Sequence, residues 1–429
     1  MKRFIWLLLL AQPLFATDFN DPQSLVDAAI ASHPTLARLR AEVAAARERV
    51  APAGALPNPM LMAGVQNKQV DLLRDDEMMT MYMAGASQTF VRPAKRDARR
   101  AAAELAAHAV ERELDSARAE IERDVLLAWY DLAAIDAELH TIEQVRELVD
   151  AVIAAARVRY EVGTSAQADV IRAQLQQSNL EHDVLRLRGA RRNALARLLP
   201  LLDLPFTTEV PPVTIPEGTD DLAIGAPAAP PDDHPAIAAL ETEVARQEAL
   251  IRLARLETKP DFDIEASYGM RPQQRDMFSV VARIELPFRR KDLIEPRVRE
   301  AIALRDAAKL RIAELRRSLT QEMAIAVAAH EEATSQLKLH EEVLVPQARL
   351  AFESTLAAYQ TGKAAFDAIL TTETAYLRLR LQYFDLLARH AQAVVNYEAL
   401  RRGARIGGRT SRPPMEADGT SAAQMTSMP

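Results

Sequence analysis

The chain has 429 residues, of which 49% are hydrophobic and 26% charged, so it is long enough to bury a large core. Thirteen glycines and 5% aromatic residues argue against a mainly β protein. The net charge is −7 and basic residues are interspersed with acidic ones, which argues against a nucleic-acid partner. The sequence contains no cysteine, which excludes disulfides and thiolate metal sites.

The first residues are typical of an export signal. Lys2 and Arg3 precede an apolar stretch at residues 4–10, and Ala16 is a small residue at a suitable cleavage point. The apolar stretch is too short to cross a bilayer as a helix. We therefore predict a signal peptide over residues 1–16 and a mature chain that is exported.

The rest of the sequence is duplicated. Residues 33–44 return as residues 234–245 with seven of twelve positions identical, and the Tyr-x-x-Gly of residues 160–163 returns at 359–362. The two offsets, 201 and 199, are nearly equal, which indicates an internal repeat. We assign the first repeat to residues 17–202 and the second to 233–405. The segments 203–232 and 406–429, rich in Pro, Asp, Gly and Ser, are predicted to be a linker or equatorial region and a disordered tail.

Each repeat contains a long helical hairpin. Residues 94–199 include no proline, and their apolar residues follow the alternating spacing of four and three that is typical of a coiled-coil seam. A helix over residues 94–160 would be roughly 100 Å long. Gly163 marks the tip of this hairpin and Gly362 the tip of its counterpart. Pro346 predicts a kink in the second hairpin alone.

Two short extended segments precede each hairpin. Residues 262–268 and 278–286 alternate apolar and polar side chains, and residues 60–67 and 80–90 are fainter counterparts. Their length suits strands that cross a bilayer with one apolar face. The alternative is a pair of hairpins that pack on a soluble core. The polar positions of the clearer pair, with residues just beyond its ends, are the candidates for a channel lumen: Asp261, Asp263, Glu265, Arg283 and Glu285.

Four strands cannot close a membrane barrel, because open edges leave backbone groups unpaired in hydrocarbon. Copies of the chain must then complete it. Three copies would supply twelve strands, and two would reach the eight of the smallest barrels with little lumen. We therefore expect a mainly α fold with a small β part, which forms in a homotrimer a 12-stranded β-barrel and a helical α-barrel.

Three passages resemble the TolC-type outer-membrane efflux proteins. They are Arg159-Tyr160-Glu161-Val162-Gly163-Thr164 with Asp169-Val170, Ala358-Tyr359-Gln360-Thr361-Gly362-Lys363, and Arg92-Pro93 after the second strand. The resemblance implies an outer-membrane homotrimer with its α-barrel in the periplasm. It also implies an adaptor protein at the hairpin tips and, indirectly, an inner-membrane pump. The tip residues implied are Tyr160, Val162, Gly163, Thr164, Tyr359, Thr361, Gly362 and Lys363.

The chain departs from this family at the aperture. Members often carry acidic residues six and nine positions after the second tip glycine, where this sequence has Ala368 and Thr371. Asp367 and Glu373 are the nearest acids and become the aperture candidates. Either the acidic ring is displaced or this aperture carries less charge.

Methionine is concentrated near the first strand pair. Six of the thirteen lie within residues 60–83: Met60, Met62, Met78, Met79, Met81 and Met83. Thioethers are soft ligands for Cu(I) or Ag(I), and this region also resembles the heavy-metal-exporting branch of the family. The alternative is that methionine serves here as an adaptable apolar residue.

The function implied is passive export through the outer membrane in a tripartite efflux system. The cargo is open between soft metal ions, small drugs and a polypeptide of type I secretion. A soluble periplasmic coiled-coil scaffold or an adaptor is the alternative of another class. The sequence has no Ser-His-Asp order, P-loop or Gly-rich cofactor turn, so we expect neither an enzyme nor a cofactor.

Overall fold

The computed structural model describes residues 18–68, 78–216, 224, 230–231, 233–272, 274–286 and 288–404. The predicted signal peptide and the predicted tail lie outside the described residues. The chain is mainly helical with one four-stranded antiparallel sheet, as the sequence predicts. Among the helices of the described part, none is both long enough and apolar enough to cross a membrane.

Both repeats contain a short helical region before their strands and a long hairpin after them. The first has α1 Pro22–Ser32, α2 Pro34–Glu48, α3 Val50–Ala53, α4 Pro93–Glu161 and α5 Gln167–Leu201. The second has α6 Pro235–Leu256, α7 Glu295–Leu339, α8 Val345–Gln360 and α9 Phe366–Arg402. Helix α1 begins at an Asp21 cap whose carboxylate accepts the amides of Gln23 and Ser24.

The repeated His-Pro pair starts a helix in each repeat. The Nδ1 atoms of His33 and His234 accept the amides of Thr35 and Ala236, each at 3.2 Å, while the proline occupies the first helical position. His234 is buried, and its Nε2 also donates to the Leu400 carbonyl at 2.8 Å. Each histidine thus caps its helix. In the second repeat, the Leu400 carbonyl fixes the tautomer of His234 with the hydrogen on Nε2.

The coiled-coil seam predicted for the first hairpin forms the core. Val125, Leu132 and Ile142 of α4 are fully buried, and α4 packs against α5, α6 and α9. Each such side chain stabilises the fold by roughly 1.5–3 kcal/mol through burial alone. The interior therefore holds both repeats together along the length of α4.

The start of the linker is anchored to this core. Arg191 of α5 donates to Asp136 of α4 at 2.6 Å, and the second oxygen of Asp136 accepts the Val213 amide at 2.9 Å. The Arg191 guanidinium also donates to the Val210 carbonyl at 2.9 Å. Asp136 is buried, so this ion pair fixes residues 210–213 against the hairpin instead of leaving a free loop.

The predicted irregularity at Pro346 is a π-helical turn. Residues His340–Leu344 form this turn, and the Val345 amide bonds to the His340 carbonyl five residues earlier. Pro346 then lies in the first turn of α8, where its missing amide hydrogen leaves no bond unmade. The extra residue of the π turn lets the long helix continue past the proline.

The four strands come from both repeats and lie in sequence order. They are β1 Met60–Gln66, β2 Met81–Phe90, β3 Phe262–Met270 and β4 Met277–Ile284. The antiparallel pairing of β2 with β3 joins the two repeats, from Phe90 opposite Phe262 to Tyr82 opposite Met270. Strands β1 and β4 form the two edges of this sheet, and each pairs on one side only within the chain.

Candidate functional site

The sheet separates apolar from polar side chains. Because paired residues share a face, the registers assign every strand position to one of two surfaces. The apolar face contains Leu61, Val65, Tyr82, Phe90, Phe262, Ile264, Tyr268, Phe278, Val280 and Ile284. It is exposed, with Phe278 at 71% and Leu61 at 86%. Such a surface needs an apolar environment.

The opposite face carries the charged groups. Arg283 of β4 donates to Asp263 of β3 at 3.1 Å and also to Glu265, and Thr89 of β2 donates to Asp263 at 3.2 Å. Glu265 is buried, together with Ser87 and Ser267 on the same face. Three of the five predicted lumen residues therefore form one ion-paired cluster, in which one cation partly offsets two carboxylates.

The other two predicted lumen residues flank the strands. Glu285 follows the end of β4. Asp261 precedes β3 and pairs with Lys95 of α4 at 2.7 Å, while its second oxygen accepts the Arg92 amide at 3.1 Å. The Lys95 side chain is buried, so this pair fixes the start of the first long helix to the start of a second-repeat strand.

Most of the clustered methionines lie on the polar face. Met60 and Met62 of β1 and Met81 and Met83 of β2 share the face of Glu265. Met277 of β4, which lies outside the cluster in sequence, shares it as well. Met78 and Met79 are exposed and precede β2. Met270, by contrast, lies on the apolar face, because it pairs with Tyr82.

The two hairpin tips have the same backbone geometry. Gly163 and Gly362 have φ of 74° and 76°, a left-handed conformation that favours glycine. The glycine amides bond to the carbonyls of Tyr160 and Tyr359 at 2.9 Å. The next amides, of Thr164 and Lys363, bond at 2.8 Å to carbonyls five residues back. Each long helix therefore ends in a Schellman motif.

Arg159 connects the two tips. Its guanidinium donates to the Tyr359 carbonyl at 2.5 Å and lies 4.6 Å from the centre of the Tyr359 ring. The Tyr359 side chain is only 2% exposed and packs edge-on against Phe366. Burial raises the pKa of its hydroxyl, which has no hydrogen-bond partner among the described residues.

The predicted tip residues consequently differ in exposure. Tyr160 and Val162 are exposed, at 45% and 66%, and Gly163, Thr164, Thr361, Gly362 and Lys363 are exposed as well. Tyr359 is held inside, although it is the repeat counterpart of Tyr160. A partner that approaches the tips would meet seven of the eight predicted residues directly.

The two aperture candidates also differ. Asp367 is exposed and lies 3.7 Å from Arg172 of α5. Glu373 is 1% exposed, and its Oε2 accepts a hydrogen bond from Gln176 at 2.7 Å. Burial raises the pKa of Glu373 to about 7, against the opposing effect of its hydrogen bonds. The Oε1 atom of Glu373 has no hydrogen-bond partner among the described residues. The carboxyl group thus lies between helices α5 and α9 without an ion pair in the described part of the chain.

A pair of histidines is a further buried polar feature of the hairpin region. The rings of His330 on α7 and His390 on α9 lie with their centres 4.5 Å apart, and both side chains are buried. Burial lowers the pKa of each, and for His390 the neighbouring His330 lowers it further. Their separation of sixty residues leaves no spacing in the sequence that would reveal the pair.

Comparison with known proteins gives a family match over the first part of the chain and a shared fold over most of it. Residues 25–202 match the model of the outer membrane efflux protein family. The chain resembles the outer-membrane channel OprN with a TM-score of 0.77 and 18% identity, over 92% of this chain and 93% of that chain. For the outer membrane protein VceC from Vibrio cholerae the values are 0.73 and 19%, over 90% and 97%. For CusC they are 0.73 and 17%, over 92% and 96%. No curated protein matches the chain.

Proposed function

We propose that this chain is a member of the outer membrane efflux protein family and forms the outer-membrane channel of a tripartite efflux system. The observation that carries the proposal is the two-faced sheet at the end of the long hairpins. Its apolar face suits lipid, its polar face suits water, and its two edges each lack a partner on one side within the chain.

Closure with identical copies supports a homotrimer. Pairing β1 of one copy with β4 of the next satisfies both edges, and three copies would make a closed barrel of twelve strands. The polar face then lines the interior, with Asp263, Glu265 and Arg283 repeated three times. The net negative charge of this cluster would favour cations over anions in the barrel. The helical hairpins would continue the duct through the periplasm.

The tips supply the proposed partner surface. Val162 and Thr164 at the first tip and Thr361 and Lys363 at the second are exposed at helix ends that terminate in glycine. A helical hairpin of a periplasmic adaptor would pack against them, with an inner-membrane pump providing the energy. Asp367, exposed just beyond the second tip, remains the better candidate for a charged aperture.

The cargo has three candidates: soft metal ions such as Cu(I) and Ag(I), small drugs, or a secreted polypeptide. The five methionines on the polar face favour the first. A soluble coiled-coil scaffold or an adaptor is the alternative of another class. It predicts release of the protein from cells without detergent.

A pair of adjacent substitutions tests the channel proposal. Val280 and Ser279 are neighbours on β4 but lie on the apolar and the polar face, respectively. Val280→Lys should block assembly in the membrane, because a lysine on the lipid face costs about 2–4 kcal/mol near the midplane. Ser279→Lys should assemble as a trimer and shift ion selectivity toward anions in planar bilayers. Equal effects of the two substitutions, or a wild-type monomer in the soluble fraction, would contradict the proposal.

A further inference from the structure

Three methionines share the polar face around one glycine near the end of the sheet that is remote from the long helices. Met83 of β2 lies opposite Gly269 of β3, and Gly269 lies opposite Met277 of β4. Met81, two residues before Met83, shares their face. A Cβ at Gly269 would lie 2.2 Å from the Met81 sulfur. The thioether of Met81 therefore fills the space above Gly269, between the positions of Met83 and Met277.

Glycines leave the room that these side chains use. On its other side Met83 lies opposite Gly64, where an added Cβ would meet nothing within 4 Å. Two strand spacings, roughly 10 Å, separate the backbones of Met83 and Met277, and only Gly269 lies between them. The Met81 sulfur thus lies above Gly269, with a methionine at the paired position of each neighbouring strand.

Hydrogen bonds hold the strand ends beside Gly269. The Thr80 hydroxyl, just before β2, donates to the Asn67 carbonyl, just after β1, at 3.1 Å. At the second pair, the Asp276 carboxylate accepts the Arg271 amide at 3.3 Å and the Tyr268 hydroxyl. Met81 directly follows Thr80, and Met277 directly follows Asp276. Their backbones are consequently held in place before any ligand arrives.

We propose that Met81, Met83 and Met277 form a thioether site for a soft monovalent cation, Ag(I) or Cu(I), on the polar face of the sheet. Neutral sulfur ligands select such cations, whereas Mg²⁺ and Ca²⁺ require oxygen ligands. That the site faces the interior of a channel rests on the function proposed above. Within it, Asp263 and Glu265 lie on the same face nearer the helices and would attract cations toward the barrel.

The face that the methionines occupy argues against a purely apolar role. As adaptable fillers they would belong with Met270 among the aromatic and aliphatic side chains of the apolar face. Instead, the neighbouring rows of the polar face contain Ser87, Ser267, Ser279 and Glu265. Thioethers among hydroxyl and carboxylate groups provide soft coordination on a surface where water reaches the ligand.

Silver nitrate in chloride-free buffer is the probe, added to the full chain purified in detergent. Saturable binding of about one Ag(I) per chain is expected by calorimetry or equilibrium dialysis. The variant Met81→Leu/Met83→Leu/Met277→Leu keeps side-chain volume and should weaken binding by more than about tenfold, because leucine offers no ligand. Gly269→Ala should have a similar effect, since its methyl group displaces the Met81 sulfur.

Met270→Leu is the matched control, because this residue is adjacent to Gly269 but on the opposite face. It should leave Ag(I) binding unchanged. Absence of saturable binding by the wild-type chain, or full binding by the triple variant, would overturn the site. Conductance in planar bilayers tests the channel proposal independently of Ag(I) binding. A chain that conducts but does not bind Ag(I) refutes only the site, whereas a chain that binds Ag(I) without conducting refutes the channel.

Discussion

Arg159 and Tyr359 join the two hairpin tips although two hundred residues separate them in sequence. The guanidinium donates to the Tyr359 carbonyl and covers the face of its ring, so one side chain contacts both backbone and aromatic group. At the first tip, the Arg159 carbonyl accepts the amides of Thr164 and Ser165 and the Thr164 hydroxyl, and none of these three bonds involves the Arg159 side chain. Removing that side chain should therefore act mainly on the second tip.

We predict that Arg159→Ala loosens the second tip selectively. The hydrogen bond and cation–π contact that this substitution removes together stabilise the second tip by about 1–3 kcal/mol. Amide hydrogen exchange of Gly362 and Lys363 should then accelerate more than that of Gly163 and Thr164. Arg157, exposed two residues earlier on the same helix, is the control for loss of a positive charge. Equal acceleration at both tips, or none, would contradict a side-chain link.

We predict opposite effects of Gly→Ala at the tips and inside a helix. Gly163 and Gly362 have positive φ, so alanine there should destabilise the hairpin by about 1 kcal/mol. Gly189 lies within α5, and an added Cβ would meet nothing within 4 Å, so alanine should stabilise by about 0.5–1 kcal/mol. Urea unfolding followed by circular dichroism measures both. Destabilisation by Gly189→Ala would refute the conformational explanation.

The features that could be predicted from sequence depend on local periodicity. The spacing of Val125, Leu132 and Ile142 predicts the helix seam, since residues on one helix face recur every three or four positions. The alternation from Phe262 to Tyr268 predicts a two-faced strand for the same kind of reason. These patterns correctly indicate the helical class, the four strands and the polar surface that carries Asp263 and Glu265.

The contacts between distant segments could not be predicted in this way. Met277 joins Met83 only because the sheet register places both beside Gly269. Glu373 gives no local sign of burial, since an acid on a helix is usually solvated. Its contact with Gln176 depends on how α5 and α9 pack. Sequence spacing alone also misses the His330–His390 pair, for which the two helices must first be placed side by side.

We predict that Glu373 makes stability fall as the pH rises. Burial raises its pKa in the folded chain to about 7, whereas an unfolded glutamate titrates near about 4.3. Between these values the folded chain binds more protons than the unfolded chain. The folded state therefore loses up to about 3 kcal/mol of stability per site as the pH rises from about 4 to 7.

Glu373→Gln removes this titration while it preserves the size and hydrogen-bonding capacity of the side chain. The pH dependence of unfolding should become flatter between pH values of about 4 and 7. Asp367→Asn is the matched control, because Asp367 is exposed and lies six residues earlier on the same helix. A wild-type slope that persists in Glu373→Gln would show that the buried carboxyl is not its source.

We predict that the His330–His390 pair has the opposite pH dependence. Burial lowers the pKa of both imidazoles below the ordinary value of about 6.5, and the proximity of the rings lowers that of His390 further. Glu331 favours protonation of His330 but does not outweigh burial. The stability that the neutral pair provides is thus complete above a pH of about 6.5 and is lost as the pH falls toward the lowered pKa values.

Double substitution of His330 and His390 to glutamine should remove this acid sensitivity of the α7–α9 contact. Hydrogen exchange of the amides of both helices, measured from neutral to mildly acidic pH, tests this, with the exposed His182→Gln variant as the control. Unchanged acid sensitivity in the double variant would assign it to other groups.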